Sequence, residues 1–464
     1  MTQSTADDQL TARADQVVAR MERVPVSRFH GRVVGLLGTG TFFDSFDTLS
    51  LSVVLSTIAA TLHLGAGDAG WVISAGFLGQ AIGAVVFGLI SERLGRKRVF
   101  VLALGLLGLM AAGSAVAWDG WSLGTARFVQ GLGLGAEVPV AAALLNEFVH
   151  GRARGRVLML YKLLFPAGTL AASLVGALLL ATLPPTQSWR VLFAIGALPV
   201  LVAVLAAWRL PESPRFLVRR GRTEEAERIV AEMERSAGVP AARVEGTTPP
   251  ADLARTRFGE IFSTRYRRRT LTVWTLWFTT YFTLWGMTTW LPSLYVSVGG
   301  LSPSAASLLL GAVTIGYFAL LVVMSATVDR LGRRFWFLLG YGVALAGAGV
   351  ALLLWALGAL HGWVPLCVAG TTLLLGVNIN APLVYLYTSE LYPTRMRSWG
   401  TMAGSSWRNV AAVVAPVAVG QMLQARLGIG AVFGLFLVTL LVGLAVQLRF
   451  GTETKQAALE ELAG

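Results

Sequence analysis

Glu92-Arg93-Leu94-Gly95-Arg96-Lys97 recurs as Asp329-Arg330-Leu331-Gly332-Arg333-Arg334, 237 residues further along the chain. Two other signals double at nearly the same distance. Glu147, with Arg154 seven residues on, returns 243 residues later as Glu390 with Arg397. Glu212 of Pro211-Glu212-Ser213 returns 241 residues later as Glu453 of Thr452-Glu453-Thr454-Lys455. Each charged cluster directly follows a long apolar segment. A duplicated bundle of membrane helices, hinged between its halves, explains this doubling better than a soluble fold does.

The composition agrees. Of the 464 residues, 55% are hydrophobic and 14% charged, with a mean hydropathy of +0.65; soluble domains carry about 25% charged residues. A bilayer span takes about 20 apolar residues. Such segments can be marked at roughly 33–61, 70–90, 98–117, 121–148, 157–181 and 188–209, then at roughly 271–292, 304–328, 335–358, 363–388, 399–424 and 428–449. The expected fold is an all-α membrane protein: twelve transmembrane helices in two pseudo-repeated six-helix bundles, residues 33–209 and 271–449. A tail of residues 1–32, a loop of residues 210–270 and a tail of residues 450–464 complete the division.

The net charge of +13 would suit nucleic acid, but its distribution points elsewhere. With the N-terminus inside, one face receives Arg93, Arg96, Lys97 and Arg98, the Arg152–Arg156 cluster, the basic loop, Arg330, Arg333 and Arg334, and Arg395 and Arg397. The opposite face receives Arg190 and Arg426. That is the positive-inside asymmetry; the expected location is the plasma (inner) membrane, with both termini cytoplasmic. Trp71, Trp118, Trp121, Trp290 and Trp363 fall near outer ends, as an aromatic belt would. Residues 1–28 have no signal-peptide apolar core, so segment 1 acts as its own insertion signal.

Cys367 is the sole cysteine and there are four histidines. No phosphate-binding glycine loop and no cysteine/histidine metal set occurs, so neither an enzyme nor a cofactor is expected. Residues 224–233 of the loop have helical spacing and mixed charge, predicting an amphipathic helix beneath the bundle. The Gly238 to Pro250 stretch predicts a flexible linker.

Several motifs resemble the major facilitator superfamily over nearly the whole chain. Gly88-Leu89-Ile90-Ser91-Glu92-Arg93-Leu94-Gly95-Arg96-Lys97 is similar to its loop 2–3 signature, with Glu92 where aspartate is usual. The Arg127 to Pro139 run resembles the fourth-helix motif of proton-coupled members. Pro211-Glu212-Ser213-Pro214-Arg215 and Glu390-Leu391-Tyr392-Pro393-Thr394 resemble the branch holding sugar porters, organic-ion transporters and synaptic vesicle glycoprotein 2. Apart from any resemblance, acid–base pairs at helix ends can latch the halves in one state and release them in another. Glu92, Arg93, Arg96, Asp329, Arg330, Arg333, Glu147, Arg154, Glu390, Arg397 and Glu212 are the expected gating set; the plainer reading of Arg93, Arg96 and their repeats is that they only set topology.

Substrate chemistry is expected from charges at membrane depth, where they are costly and usually functional. Asp44 and Asp47 in segment 1 share a helix face, Asp44 on the order of 16 Å deep at the helical rise. Glu137 sits near the middle of segment 4, and Arg408 lies roughly 13 Å deep in segment 11. Asp44, Asp47 and Glu137 are candidate proton carriers; the alternative is a static ion pair with Arg127 or Arg408. Arg408 keeps its charge and offers a fork matched to a carboxylate, unless it is a structural partner of Glu137 or Asp47.

The Asp-x-x-Asp of segment 1, the segment 4 run and Arg408 are similar to bacterial niacin-type transporters, and the resemblance implies an organic anion. Lys162 is a departure, standing where such relatives have an acid. It either adds positive potential to the cavity or snorkels toward the cytoplasm, and snorkelling is expected from its place near the helix start. Trp274, Trp277, Tyr281 and Trp285 follow 3/4 spacing on segment 7. Facing the cavity they would stack a planar ring; facing lipid they would be filler. Asn378, Asn380 and Tyr385 of segment 10, with Gln130, complete the candidate substrate residues.

The leading expectation is proton-coupled uptake of a small organic acid, aromatic and nicotinate-like, by a functional monomer using alternating access. A proton antiporter exporting drugs or metabolites, a sugar or polyol porter, and a membrane sensor without transport are the alternatives.

Overall fold

The computed structural model describes residues 16–149, 157–158, 160–240, 258–392 and 396–454. Its long helices are α1 (Arg28–Thr61), α2 (Ala66–Leu94), α3 (Arg96–Ala115), α4 (Gly120–Phe148), α5 (Leu164–Thr182) and α6, the last in two pieces, Pro185–Ile195 and Pro199–Arg209. The second half repeats them as α7 (Arg267–Ser297), α8 (Pro303–Leu331), α9 (Arg333–Ala356), α10 (Trp363–Leu391), α11 (Arg397–Gln424) and α12 (Gly428–Phe450). Each predicted segment is a helix, and α6 is broken where Pro199 cannot donate to the preceding turn.

Ten of these helices are long and apolar enough to cross a membrane. The two others, α7 with 31 residues and α11 with 28, have the length without the hydropathy. Threonines recur along α7, and α11 carries Ser405, Ser406, Arg408 and Asn409. Such residues are tolerated at depth where they face protein or a cavity rather than lipid. In a duplicated bundle, the helices poorest in hydropathy therefore mark the inner surface.

The α2–α3 and α8–α9 junctions turn on single glycines, Gly95 at φ +96° and Gly332 at φ +91°, a region that disfavours side chains. This end of the bundle carries the repeated basic clusters. Backbones of α2 and α4 approach so closely that a Cβ on Gly79 would sit 2.0 Å from the Phe128 carbonyl oxygen, the small-residue packing expected within membranes.

Apolar burial divides the molecule. One core runs through the second half and continues into Phe46 to Ile58 of α1, Ala69 to Phe77 of α2 and Trp189 to Phe193 of α6. A second core holds the basic end of the first half, from Val99 to Leu107 of α3 and Leu134 to Phe148 of α4. The halves are thus joined at the end opposite the basic clusters. There Ser74 donates to the Val413 carbonyl at 2.7 Å and Ser307 to the Ser173 carbonyl at 2.7 Å. Toward the basic end Lys162, Met402 and Tyr385 are exposed.

The expected amphipathic helix is Thr223–Ala237, preceded by a short helix, Pro214–Arg219. It buries Ala226, Val230 and Met233 in the second core, together with Val17, Met21 and Val24 of the N-terminal segment. Residues 16–23 are themselves helical and dock on that core. Arg20 and Arg23 hold Glu234 at 2.6 and 3.1 Å. Burial would push the Glu234 carboxyl up, but the hydrogen bonds from Arg20 and Arg23 outweigh it and hold the group below the usual glutamate range. Most of the predicted linker, residues 241–250, lies outside the described residues.

Candidate functional site

Thr41, Asp44 and Asp47 follow each other at one-turn spacing on α1, all buried. Their fates differ because different helices meet them. Asp47 accepts from Arg127 and from Gln130 of α4, each at 2.9 Å. Gln130 in turn accepts from Arg127 at 2.8 Å and donates to the Leu107 carbonyl. Both carriers of this network belong to the first half, and Arg127 also sits over the Phe193 ring. One turn back, Asp44 has Asp47, Arg408 and Lys162 as its electrostatic neighbours. Glu137 is fully buried and accepts from Thr41 at 3.1 Å. Thr41 also bonds the buried Tyr161 hydroxyl. Glu137 has Asp44 and Lys162 as its electrostatic neighbours.

The second half contributes the counter-charge. Arg408 on α11 donates from Nη1 to the Tyr385 hydroxyl at 3.2 Å and from Nη2 to Asn409 Oδ1 at 3.2 Å. Its electrostatic neighbours are Tyr385, Tyr281 and Asp44. The aromatic wall beside it is built from α7 and α10. Trp277 stacks on Tyr281 at 5.5 Å and meets Tyr385 edge-on at 4.4 Å, distances typical of favourable ring pairs. Trp277 donates to Thr388 at 2.9 Å, and Tyr281 donates to the Ala381 carbonyl. These bonds tie the wall to α10 and leave Tyr385, 38% exposed, as its open edge.

The helix-end motifs repeat in three dimensions. Arg96 and Lys97 donate their backbone N–H groups to Glu212 Oε1 at 3.0 and 3.1 Å. Arg333 and Arg334 donate theirs to Glu453 at 2.9 and 3.0 Å. A carboxylate at a helix N-terminus is favoured by the free N–H groups and the helix dipole. The Arg96 side chain pairs with Glu147 at 3.2 Å, and Arg333 with Glu390 at 2.7 Å and Asp329 at 2.8 Å. These ion pairs close within each half, and Arg220 donates to the Arg93 and Glu92 carbonyls. Glu92, Arg93 and Arg330 are exposed. Arg154 lies outside the described residues, and Arg397 begins α11.

Comparison with known proteins decides the family. The sugar (and other) transporter family model matches residues 34–463. The chain belongs to that family. It is 33% identical to a niacin transporter of Acinetobacter baylyi over 96% of this chain and 99% of that protein. It is 31% identical to a 4-hydroxybenzoate transporter of Pseudomonas aeruginosa over 84% of this chain and 85% of that one. A crystal structure of a D-xylose–proton symporter superposes with a TM-score of 0.72 at 18% identity, over 93% of this chain and all of that one. A proton:xylose symporter of the major facilitator superfamily gives 0.68, also at 18% identity, over 94% of this chain and 98% of that one; these two share the fold. The chain is therefore a multi-pass membrane transporter of the major facilitator fold, and not an enzyme.

Within this transporter the expected site residues divide. Asp44 and Glu137 of the first half and Arg408, Tyr385, Tyr281 and Trp277 of the second form two groups that meet electrostatically through Asp44 and Arg408. Asn378, half-buried, lies on the α10 face of Ala381 and Tyr385, and bonds the Leu374 carbonyl. Asn380 is turned the other way: a Cβ on Gly340 of α9 would lie 2.2 Å from its Oδ1. Two residues along a helix is about 200° of rotation, so both asparagines cannot face one cavity. Gln130 spends its amide on Asp47, Arg127 and Leu107. Lys162 is exposed, with its Nζ 5.9 Å from the Tyr161 ring. The aromatic face of α7 also divides, Trp274 packing on Trp407 and Trp285 on Phe77, so neither cavity nor lipid takes all of it. Trp290, expected in the outer belt, is buried and donates to the Pro416 carbonyl at 3.2 Å. Thr41 and Tyr161 were not anticipated. Thr41 precedes Asp44 by one turn, the signal that could have found it.

Proposed function

We propose that this transporter couples inward proton movement to uptake of a small aromatic carboxylate, nicotinate-like in size, across the plasma membrane with both termini cytoplasmic and a single chain as the working unit. The observation that carries the reading is that Arg408 of one half and Asp44 of the other are neighbours beside a wall of Trp277, Tyr281 and Tyr385. An incoming carboxylate takes the Arg408 fork, and its ring lies along the aromatic wall. Arg408 then no longer offsets Asp44, and a proton on Asp44 or Glu137 restores the charge balance. Anion and proton thereby favour each other's presence, which is the condition for symport. Rocking of the halves about the site exposes both to the other side. Names of relatives that carry niacin and 4-hydroxybenzoate support the substrate class.

Glu147–Arg96, Glu390–Arg333 and the Glu212 and Glu453 caps set the rigidity of each half's basic end during that motion. Glu92, Arg93, Asp329 and Arg330 complete the proposed gate, together with Arg154 and Arg397, which are assigned to it by the repeated Glu/Arg spacing of the sequence.

The test is uptake of labelled nicotinate into proteoliposomes with and without an imposed inward proton gradient. Gradient-driven accumulation that disappears in Arg408→Ala is the expected result. Uptake by Arg408→Ala equal to the parent would overturn the carboxylate anchor, and accumulation indifferent to the gradient would overturn coupling.

A further inference from the structure

A cavity of about 1260 Å³ lies on the outside of the first half, away from the substrate space, between α1, α3, α6 and the Thr223–Ala237 helix. Its floor is basic. Lys97, Arg98, Arg209, Arg228 and Arg235 converge there from three elements, and among the described residues none of the five forms an ion pair. The acids of the same cavity are already engaged: Glu232 by Arg32, Glu225 by Arg222, and Glu212 by backbone N–H groups. Its wall is apolar and open, with Leu102 at 52% exposure, Leu205 at 46% and Trp208 at 80%.

We propose that this groove holds a diacyl anionic phospholipid, its phosphate among the five cations and its acyl chains against α3 and α6. Charge complementarity and position choose the occupant. Insertion topology needs basic residues near helix ends, but not their convergence from α3, α6 and a loop helix onto one cavity. A soluble anion would use the cations and leave the wall bare. A zwitterionic lipid would cover the wall with no surplus charge to meet the cations. Cations at a membrane surface attract anionic lipid additively. The same lipid would brace the loop helix, and through the Glu212 cap the start of α3. This inference is independent of the substrate proposed above.

The experiment is thermal unfolding of the full-length detergent-solubilised protein with added phosphatidylglycerol, phosphatidylcholine or glycerol 3-phosphate. Phosphatidylglycerol should raise Tm, while the other two leave it unchanged. The Arg98→Gln/Arg209→Gln/Arg228→Gln variant should lose that increment and bind phosphatidylglycerol at least about tenfold more weakly by native mass spectrometry. A charge-matched control, Arg265→Gln/Arg426→Gln/Arg449→Gln, should keep it. If the first variant does not fold, Leu205→Gln/Trp208→Gln removes the wall and should also lose the increment. Equal stabilisation by phosphatidylcholine, a full effect from glycerol 3-phosphate, or retention of the increment by either groove variant would overturn the proposal.

Discussion

Replacing Asp47 separates a structural ion pair from a proton carrier. Asp47 is 1% exposed and Arg127 5% exposed, and the two pair at 2.9 Å. Asp47→Leu leaves the guanidinium buried without its counter-ion, a loss of about 3–5 kcal/mol for pairs of this kind. The pair itself is imperfect: Asp47 Oδ2 and Arg127 Nε have no hydrogen-bond partner among the described residues. Removing both charges is therefore cheaper than removing one, and Asp47→Leu/Arg127→Met should recover most of the lost stability. Unfolding can be followed in detergent through the thiol of Cys367, the sole cysteine. The double variant should also retain gradient-driven uptake, because the proton is assigned to Asp44 or Glu137. A double variant as unstable as the single would refute the ion-pair reasoning. A stable double variant that had lost proton coupling would return Asp47 to the carriers.

Other outcomes follow from the same geometry. Arg408→Lys keeps the charge but loses the fork, so the KM for nicotinate uptake should rise about 10- to 100-fold with the protein still folded; an unchanged KM would contradict carboxylate binding there. Gly332→Ala places a Cβ 2.6 Å from Glu453 Oε2 at φ +91°, and Gly95→Ala places one 2.1 Å from Glu212 Oε2 at φ +96°. Each should destabilise by about 1–3 kcal/mol in thermal unfolding, Gly95→Ala the more, and equal tolerance of both would count against the caps. A side chain at Gly70 would approach the Pro416 carbonyl oxygen at 2.8 Å across the halves. Gly70→Leu should therefore loosen the closed end and increase labelling of a cysteine placed at Val413 in a Cys367→Ala background. The Glu234 carboxyl is held below its ordinary value, so its contribution is present above the unfolded value of about 4.3 and lost as pH falls through the lower folded value. Protease protection of the N-terminal helix should persist from about pH 7.5 to about pH 5.5, and loss of protection there would place another titrating group in the clasp.

Membrane helices and their duplication were legible in the chain because local composition controls both. A span needs only a run of apolar residues, and a topology needs only charge asymmetry between its ends. The repeated glycines marked α2–α3 and α8–α9 as equivalent turns, since positive φ is a local demand, whereas the capping of α3 by Glu212 and of α9 by Glu453 joins residues 116 and 120 positions apart and only packing reveals it. Depth of charge singled out Asp44, Asp47, Glu137 and Arg408, and the three acids are buried. Packing between elements distant in the chain decided the rest. Asp44 and Asp47 are chemically identical and one turn apart, yet only Asp47 meets Arg127 and Gln130. Asn378 and Asn380 differ by which neighbour, the space beside Tyr385 or Gly340 of α9, lies against their face of α10. Helical spacing grouped the aromatics of α7, but three different helices divide them. The Arg20–Glu234 clasp joins residues 214 positions apart, beyond any periodic signal. Sequence determined what each helix could hold; the tertiary structure alone decided which charges meet, because that depends on which faces are pressed together.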